Sequence, residues 1–115
     1  MHMLHHISFA VTDIERAAKF YDATLGALGY VRVFEDLCPG DNDQAVGYGN
    51  AGEGDKFCIK SASTSSASPG HGFHMAFAAP NQSAVQDFYA QALLHGGSDN
   101  GAPGPRPDYG TNYYA

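Results

Sequence analysis

The chain carries one sequence pattern twice, and this repeat constrains its fold more than any other feature. Shifting residues 6–29 onto residues 74–97, an offset of 68, superposes seven identical residues. About two identities are expected by chance in a stretch of this length and ordinary composition. The identical pairs are His6/His74, Phe9/Phe77, Ala10/Ala78, Phe20/Phe88, Tyr21/Tyr89, Leu25/Leu93 and Gly29/Gly97. A fixed internal period indicates one structural unit used twice.

Each copy opens with a strand pattern followed by a helix pattern. Residues 6–11 and 74–79 alternate large apolar residues with small or polar ones, as a half-buried strand does. Thr12 and Glu15 have the spacing of a capping box for the first helix, and Pro80-Asn81 opens the second. Both helices are predicted to end at glycine, near 26–29 and at 96–97.

Three short strand-like runs follow the first helix, at 30–35, 44–48 and 56–60. The unit is therefore predicted to be βαβββ. After the second helix, residues 98–107 are rich in proline and glycine and predict a loop, and only residues 112–115 again have a strand pattern. We expect an α+β fold in which two βαβββ modules form a cupped mixed sheet. Adding the offset to Cys58 gives a position past Ala115, so the second module is expected to lack its last strand.

The predicted organisation is one domain spanning residues 1–115. Module 1 covers about 1–61, a linker covers 62–71, and module 2 covers about 72–115. The linker prediction rests on the small polar residues of this stretch, which do not pack a core.

Composition limits the partners and the compartment. A net charge of −6 with only six lysines and arginines argues against nucleic acid as a partner. No stretch approaches the roughly 20 apolar residues of a membrane span. The N-terminal sequence has neither the basic region nor the cleavage site of a secretion signal, which predicts a cytoplasmic protein. Cys38 and Cys58 are expected to be free thiols.

Strand alternation places the two repeated histidines on one face. Ile7, Phe9 and Val11 are bulky and should face the helix, so His6 faces the other way beside small residues, as does His74 in the second copy. A structural or solvated role is open for either histidine alone. As a symmetry-related pair, the two are candidates for binding one metal ion.

These motifs resemble the glyoxalase, bleomycin-resistance and extradiol dioxygenase superfamily, also called vicinal oxygen chelate. The resemblance covers nearly the whole chain and rests on four segments. They are His6-Ile-Ser-Phe-Ala-Val-Thr-Asp-Ile14, Phe20-Tyr21 with Leu25-Gly26, Gly72-Phe-His-Met-Ala-Phe77 and Asn112-Tyr-Tyr-Ala115. The family implies a cup whose metal ligands come from the first and last strands of each module. His6 and His74 match two of these four positions.

The third position falls at Cys58, where many catalytic relatives have a glutamate, and the fourth falls past Ala115. Cys58 is therefore either a thiolate ligand for a soft metal or an inert core residue. Side chains expected at the cup also include one arginine that suits an anionic group, and several aromatic residues that suit ligand contact. These substrate-binding candidates are Tyr48, Arg106, Tyr109, Tyr113 and Tyr114.

Three functions are consistent with the sequence. The first is a lyase or dioxygenase that uses a divalent ion (Fe, Mn, Ni or Zn) to bind a small molecule with adjacent oxygens. The second is a metal-free protein that binds or sequesters a small molecule, as bleomycin-resistance proteins do. The third is a truncated homologue without activity. A homodimer is expected in each case.

Overall fold

The computed structural model describes residues 3–63 and 69–115. It contains, in chain order, β1 (Ile7–Val11), α1 (Ile14–Ala27), β2 (Val31–Asp36), β3 (Ala45–Gly49), β4 (Phe57–Ser61) and α2 (Gln82–Leu94). The predicted α+β class is confirmed. The three strand-like runs after the first helix are all present, each displaced by one residue from its predicted position.

The four strands form one open mixed sheet in the order β1-β4-β3-β2. β1 and β4 run parallel, with Ile7 opposite Phe57 and Phe9 opposite Ile59. The other two pairs are antiparallel. A crossover is required between parallel strands, and α1 with the β2-β3 hairpin provides it. The first module is therefore a complete βαβββ unit.

The core lies between this sheet and α1. Phe9 and Val11 of β1 and Phe57 and Ile59 of β4 pack on the helix side, as the alternation predicts. Cys58 is buried as well, but it lies on the opposite face of the sheet, beside Ser8. This opposite face is the inner surface of the predicted cup.

The helix boundaries agree with the glycine and asparagine signals but not with the predicted capping box. The N-cap of α1 is Asp13, whose carboxylate accepts a hydrogen bond from the Arg16 N–H at 3.1 Å, so the prediction of Thr12 is wrong by one residue. Asn81 caps α2 as predicted, accepting from the Ala84 N–H at 2.8 Å. Gly29 follows the end of α1 with a positive φ of 95°.

The second module has a helix but no strand ladder among the described residues. Residues 74–79 have no regular secondary structure, although Met75, Phe77 and Ala79 pack on the core as alternate residues of a strand would. Residues 112–115 make only one isolated bridge, between Tyr114 and Pro105. Helix α2 instead packs on α1. A strand pattern becomes a strand only when a neighbour supplies hydrogen bonds, and none of the described segments does so here.

The division of the chain at a linker of residues 62–71 stays a prediction, because residues 64–68 lie outside the described residues. Both cysteines are free, as expected. Within the described ranges, no helix is long and apolar enough to span a membrane.

Candidate functional site

Six of the eight predicted site residues line one or more of three cavities. The first, the sheet pocket, lies on the face of the sheet that points away from α1 and has a volume of about 340 Å³. It is lined by His6, Ser8, Cys58, Lys60 and the carboxylates of Asp36, Asp43 and Asp55. Acidic groups outnumber basic ones in this pocket.

Cys58 reaches the sheet pocket as a thiol. Only 5% of the residue is exposed. Burial raises the pKa of its thiol, the negative charge of Asp55 raises it further, and a hydrogen bond with Ser8 acts in the opposite direction. The net effect disfavours the thiolate, which is the form that binds metals and acts as a nucleophile. These surroundings favour the inert alternative for Cys58.

The second cavity, the seam cavity, lies between the start of β1, the β3-β4 turn and residues 74–78, and has a volume of about 530 Å³. His6 and His74 both line it, so the structure brings together the two repeated histidines. Cys58 lines the sheet pocket instead. Across the described residues, no group of three or more His, Cys, Asp or Glu side chains is arranged to hold a metal ion. The predicted set of His6, His74 and Cys58 therefore does not form a ready three-ligand site.

Tyr48 lies at the inner wall of the seam cavity and is only 1% exposed. Its hydroxyl is 2.9 Å from Asp22 Oδ1 and 3.1 Å from the Ala18 carbonyl oxygen, both on α1. Asp22 also accepts from Arg32 at 2.6 Å. The hydroxyl of Tyr48 therefore joins β3 to α1, and its side chain is part of the core.

The third cavity, the C-terminal cavity, lies between residues 74–79, α2 and residues 112–115, and has a volume of about 600 Å³. It brings His74 together with Tyr113 and Tyr114, three of the predicted site residues. The hydroxyl oxygen of Tyr114 accepts a hydrogen bond from Gln86 Nε2 at 3.0 Å. Its apolar walls are formed by Leu28, Met75, Phe77, Val85 and Phe88.

Arg106 and Tyr109 lie outside these three cavities. The guanidinium of Arg106 donates to the Ala102 carbonyl at 2.9 Å, and its main chain pairs with Tyr113 at 2.8 Å. Tyr109 is 76% exposed, and its ring lies 5.3 Å from that of Tyr113. Both residues shape the C-terminal loop that carries Tyr113.

His5 also lines the seam cavity and is exposed. Its Nδ1 is 2.9 Å from Nδ1 of His6, with the rings nearly perpendicular. The available signal was the adjacency of two histidines just before a strand. Strand alternation alone does not predict this contact, because neighbouring residues of a strand normally point to opposite faces.

A family model described as Glyoxalase/Bleomycin resistance protein/Dioxygenase superfamily matches residues 3–114. No curated protein matches the chain in sequence. The match spans both copies of the repeat, including β1, α1 and the histidines of both modules. On this match, which agrees with the βαβββ topology of the first module, the chain belongs to the vicinal oxygen chelate superfamily.

Proposed function

We propose that the chain binds a small molecule in the C-terminal cavity. One observation carries this proposal: the predicted ligand-contacting residues Tyr113 and Tyr114 line one largely apolar space of about 600 Å³ together with His74, which was predicted as a metal ligand. Small-molecule sites have volumes of roughly 300–1,000 Å³ and combine apolar walls with a few polar groups. The cavity has both properties.

The lining indicates which molecules suit this cavity. Met75, Phe77 and Phe88 offer apolar and aromatic contacts. Because Tyr114 already accepts a hydrogen bond from Gln86, its own O–H proton remains able to donate to a ligand oxygen. Among the described lining residues there is no Lys, Arg, Asp or Glu. These features support a neutral ligand with an apolar body and an oxygen atom that accepts from Tyr114. The adjacent oxygens are what the superfamily resemblance implies.

Catechol, an aromatic ring with two adjacent hydroxyl groups, is a suitable probe for calorimetric titration. We expect His74→Ala and Tyr114→Phe each to weaken its binding by about tenfold, the effect of losing one hydrogen bond of about 1.4 kcal/mol. Tyr109→Phe, outside the cavity, is the matched control and should bind as the unchanged protein does. Unaltered catechol binding by both cavity variants would refute the proposal.

A second candidate is a metal-dependent lyase or dioxygenase of the superfamily, supported by His6 and His74 lining one cavity. The described residues supply no three-ligand group, so the residues present do not fit a complete site for Fe, Mn, Ni or Zn, and no catalytic step follows from them. Metal analysis of the protein with His6→Ala and His74→Ala tests this candidate. It fails if no divalent ion binds above background.

We also propose that the protein is a cytoplasmic homodimer. Residues 74–79 make no main-chain to main-chain hydrogen bond to the described residues, and their Ala78 carbonyl accepts only from the Tyr30 hydroxyl. Leu94 is 75% exposed. Both features support association with a second copy. Light scattering should give about twice the 12.2 kDa chain mass.

A protein that binds neither small molecule nor metal would fit the remaining alternative of an inactive homologue.

A further inference from the structure

His5 and His6 form a close imidazole pair just before β1. Their Nδ1 atoms are 2.9 Å apart, and the ring planes meet at 81°. Both residues are exposed. At this separation the Nδ1–H of one ring donates a hydrogen bond to the lone pair on Nδ1 of the other ring.

The separation of the two nitrogens matches two ligands of one metal ion. Imidazole nitrogens lie about 2.0–2.1 Å from a bound metal such as zinc, so two of them at a right angle are about 2.9 Å apart. At a tetrahedral angle, the same bonds give about 3.3 Å. The observed 2.9 Å is the length of the hydrogen bond between the rings, and it is also the spacing of neighbouring positions around a square-planar or tetragonal ion, the geometry that Cu(II) and Ni(II) prefer.

The surroundings of the pair leave room for the other ligands of such an ion. His5 and His6 both line the seam cavity, together with Asn50 and Glu53. Its volume of about 530 Å³ accommodates the water molecules that complete a two-nitrogen site. The net charge of −6 also favours a cation over an anion.

We propose that His5 and His6 chelate Cu(II) or Ni(II) through their two Nδ1 atoms, with the proton of the hydrogen bond between the rings moving to Nε2 of its own ring, so that both imidazoles bind as neutral ligands. This site needs neither His74 nor the C-terminal cavity. Its failure is therefore distinguishable from failure of small-molecule binding, and also from failure of an ion site at His6 and His74.

Titration of the full chain with Cu(II), followed by pulsed electron paramagnetic resonance, tests the proposal. All proteins carry His2→Ala, so that the terminal amine and His2 together do not compete for the ion. We expect one tightly bound Cu(II) with two coordinated imidazoles. His5→Ala and His6→Ala should each leave one imidazole and weaken binding by about tenfold or more.

His74→Ala and His95→Ala are the controls and should keep two imidazoles and the original affinity. The proposal is overturned if His5→Ala binds Cu(II) as tightly as the His2→Ala parent. It is equally overturned if His74→Ala removes one imidazole, because the ion would then lie between His6 and His74. Circular dichroism of each variant establishes that it is folded.

Discussion

The side chain of Tyr48 links β3 to α1 through its hydroxyl group. It is one of the largest fully buried side chains of the core, and its hydroxyl contacts both Ala18 and Asp22. We expect Tyr48→Phe to lower the free energy of unfolding by about 1–2 kcal/mol, because the Ala18 and Asp22 oxygens lose this donor. Urea denaturation measures the change. Tyr109→Phe, at an exposed position, should alter stability by less than about 0.5 kcal/mol.

Because of the same hydroxyl, we expect the free energy of unfolding to fall at alkaline pH. Burial raises the pKa of Tyr48, and hydrogen bonding to Asp22 raises it further. The folded state therefore holds this proton more tightly than the unfolded state. The resulting stability is complete below the unfolded tyrosine pKa of about 10 and is lost as pH rises from there toward the folded value.

Denaturation at about pH 8 and about pH 11 should show this loss. We expect the unchanged protein to lose about 1 kcal/mol more than Tyr48→Phe between the two conditions, because one pKa unit corresponds to about 1.4 kcal/mol. Equal losses would show that Tyr48 ionises with the same pKa in both states. Tyr21, whose pKa is also raised by burial, is common to both proteins and cancels in the comparison.

At the scale of elements, the start of α1 shows that a capping pattern in the sequence does not by itself determine which residue caps the helix. Thr12 and Asp13 are both good N-cap residues, and their order alone does not decide between them. The structure has Asp13 accepting from Arg16. Asp13→Ala should therefore cost about 0.5–2 kcal/mol of stability, while Thr12→Ala should be close to neutral. If Thr12→Ala loses more stability than Asp13→Ala in thermal or urea unfolding, Thr12 is the N-cap and the predicted capping box is correct.

The β3-β4 turn lies so close to the end of β3 that position 49 requires glycine. A Cβ at Gly49 would lie 2.7 Å from the Gly54 carbonyl oxygen, a main-chain atom that cannot rotate away. We expect Gly49→Ala to destabilise the protein by about 1–3 kcal/mol through overpacking. Gly26→Ala is the matched control, since nothing lies within 4 Å of its added Cβ. That helical substitution should stabilise by up to about 1 kcal/mol, and the two midpoints in urea should move in opposite directions.

For the whole molecule, local patterns predicted the first module well because two of its three strand pairs, β2-β3 and β3-β4, join consecutive strands. Phe57 and Ile59 face α1 and Cys58 faces away, as alternation alone requires. The second module follows the same alternation, yet residues 74–79 form no strand with any described segment. Pairing is a property of two segments, so one pattern does not determine it. The contact between His5 and His6 was unpredictable for a similar reason, since it depends on side-chain rotation at the strand start.

The two modules therefore differ in how their main chains are held. Amides of β3 and β4 lie in antiparallel pairing within the sheet, whereas those of residues 74–79 make no main-chain hydrogen bond to the described residues. Exchange of an amide hydrogen with solvent requires that its hydrogen bond be open. Dilute protein should thus exchange hydrogen slowest in β3 and β4 and much faster at 74–79, as read by mass spectrometry of proteolytic fragments.

A second copy that pairs with residues 74–79 would add main-chain hydrogen bonds there and not in β3. Raising the protein concentration should then slow hydrogen exchange at residues 74–79 and leave exchange in β3 unchanged. Replacing Ala76, which is exposed on this segment, by proline removes one donor and should abolish the concentration dependence. Ala90→Ser, exposed on α2, should retain it. Concentration-independent exchange at 74–79, together with a dimer mass, would place the interface on another surface, of which exposed Leu93 and Leu94 are part.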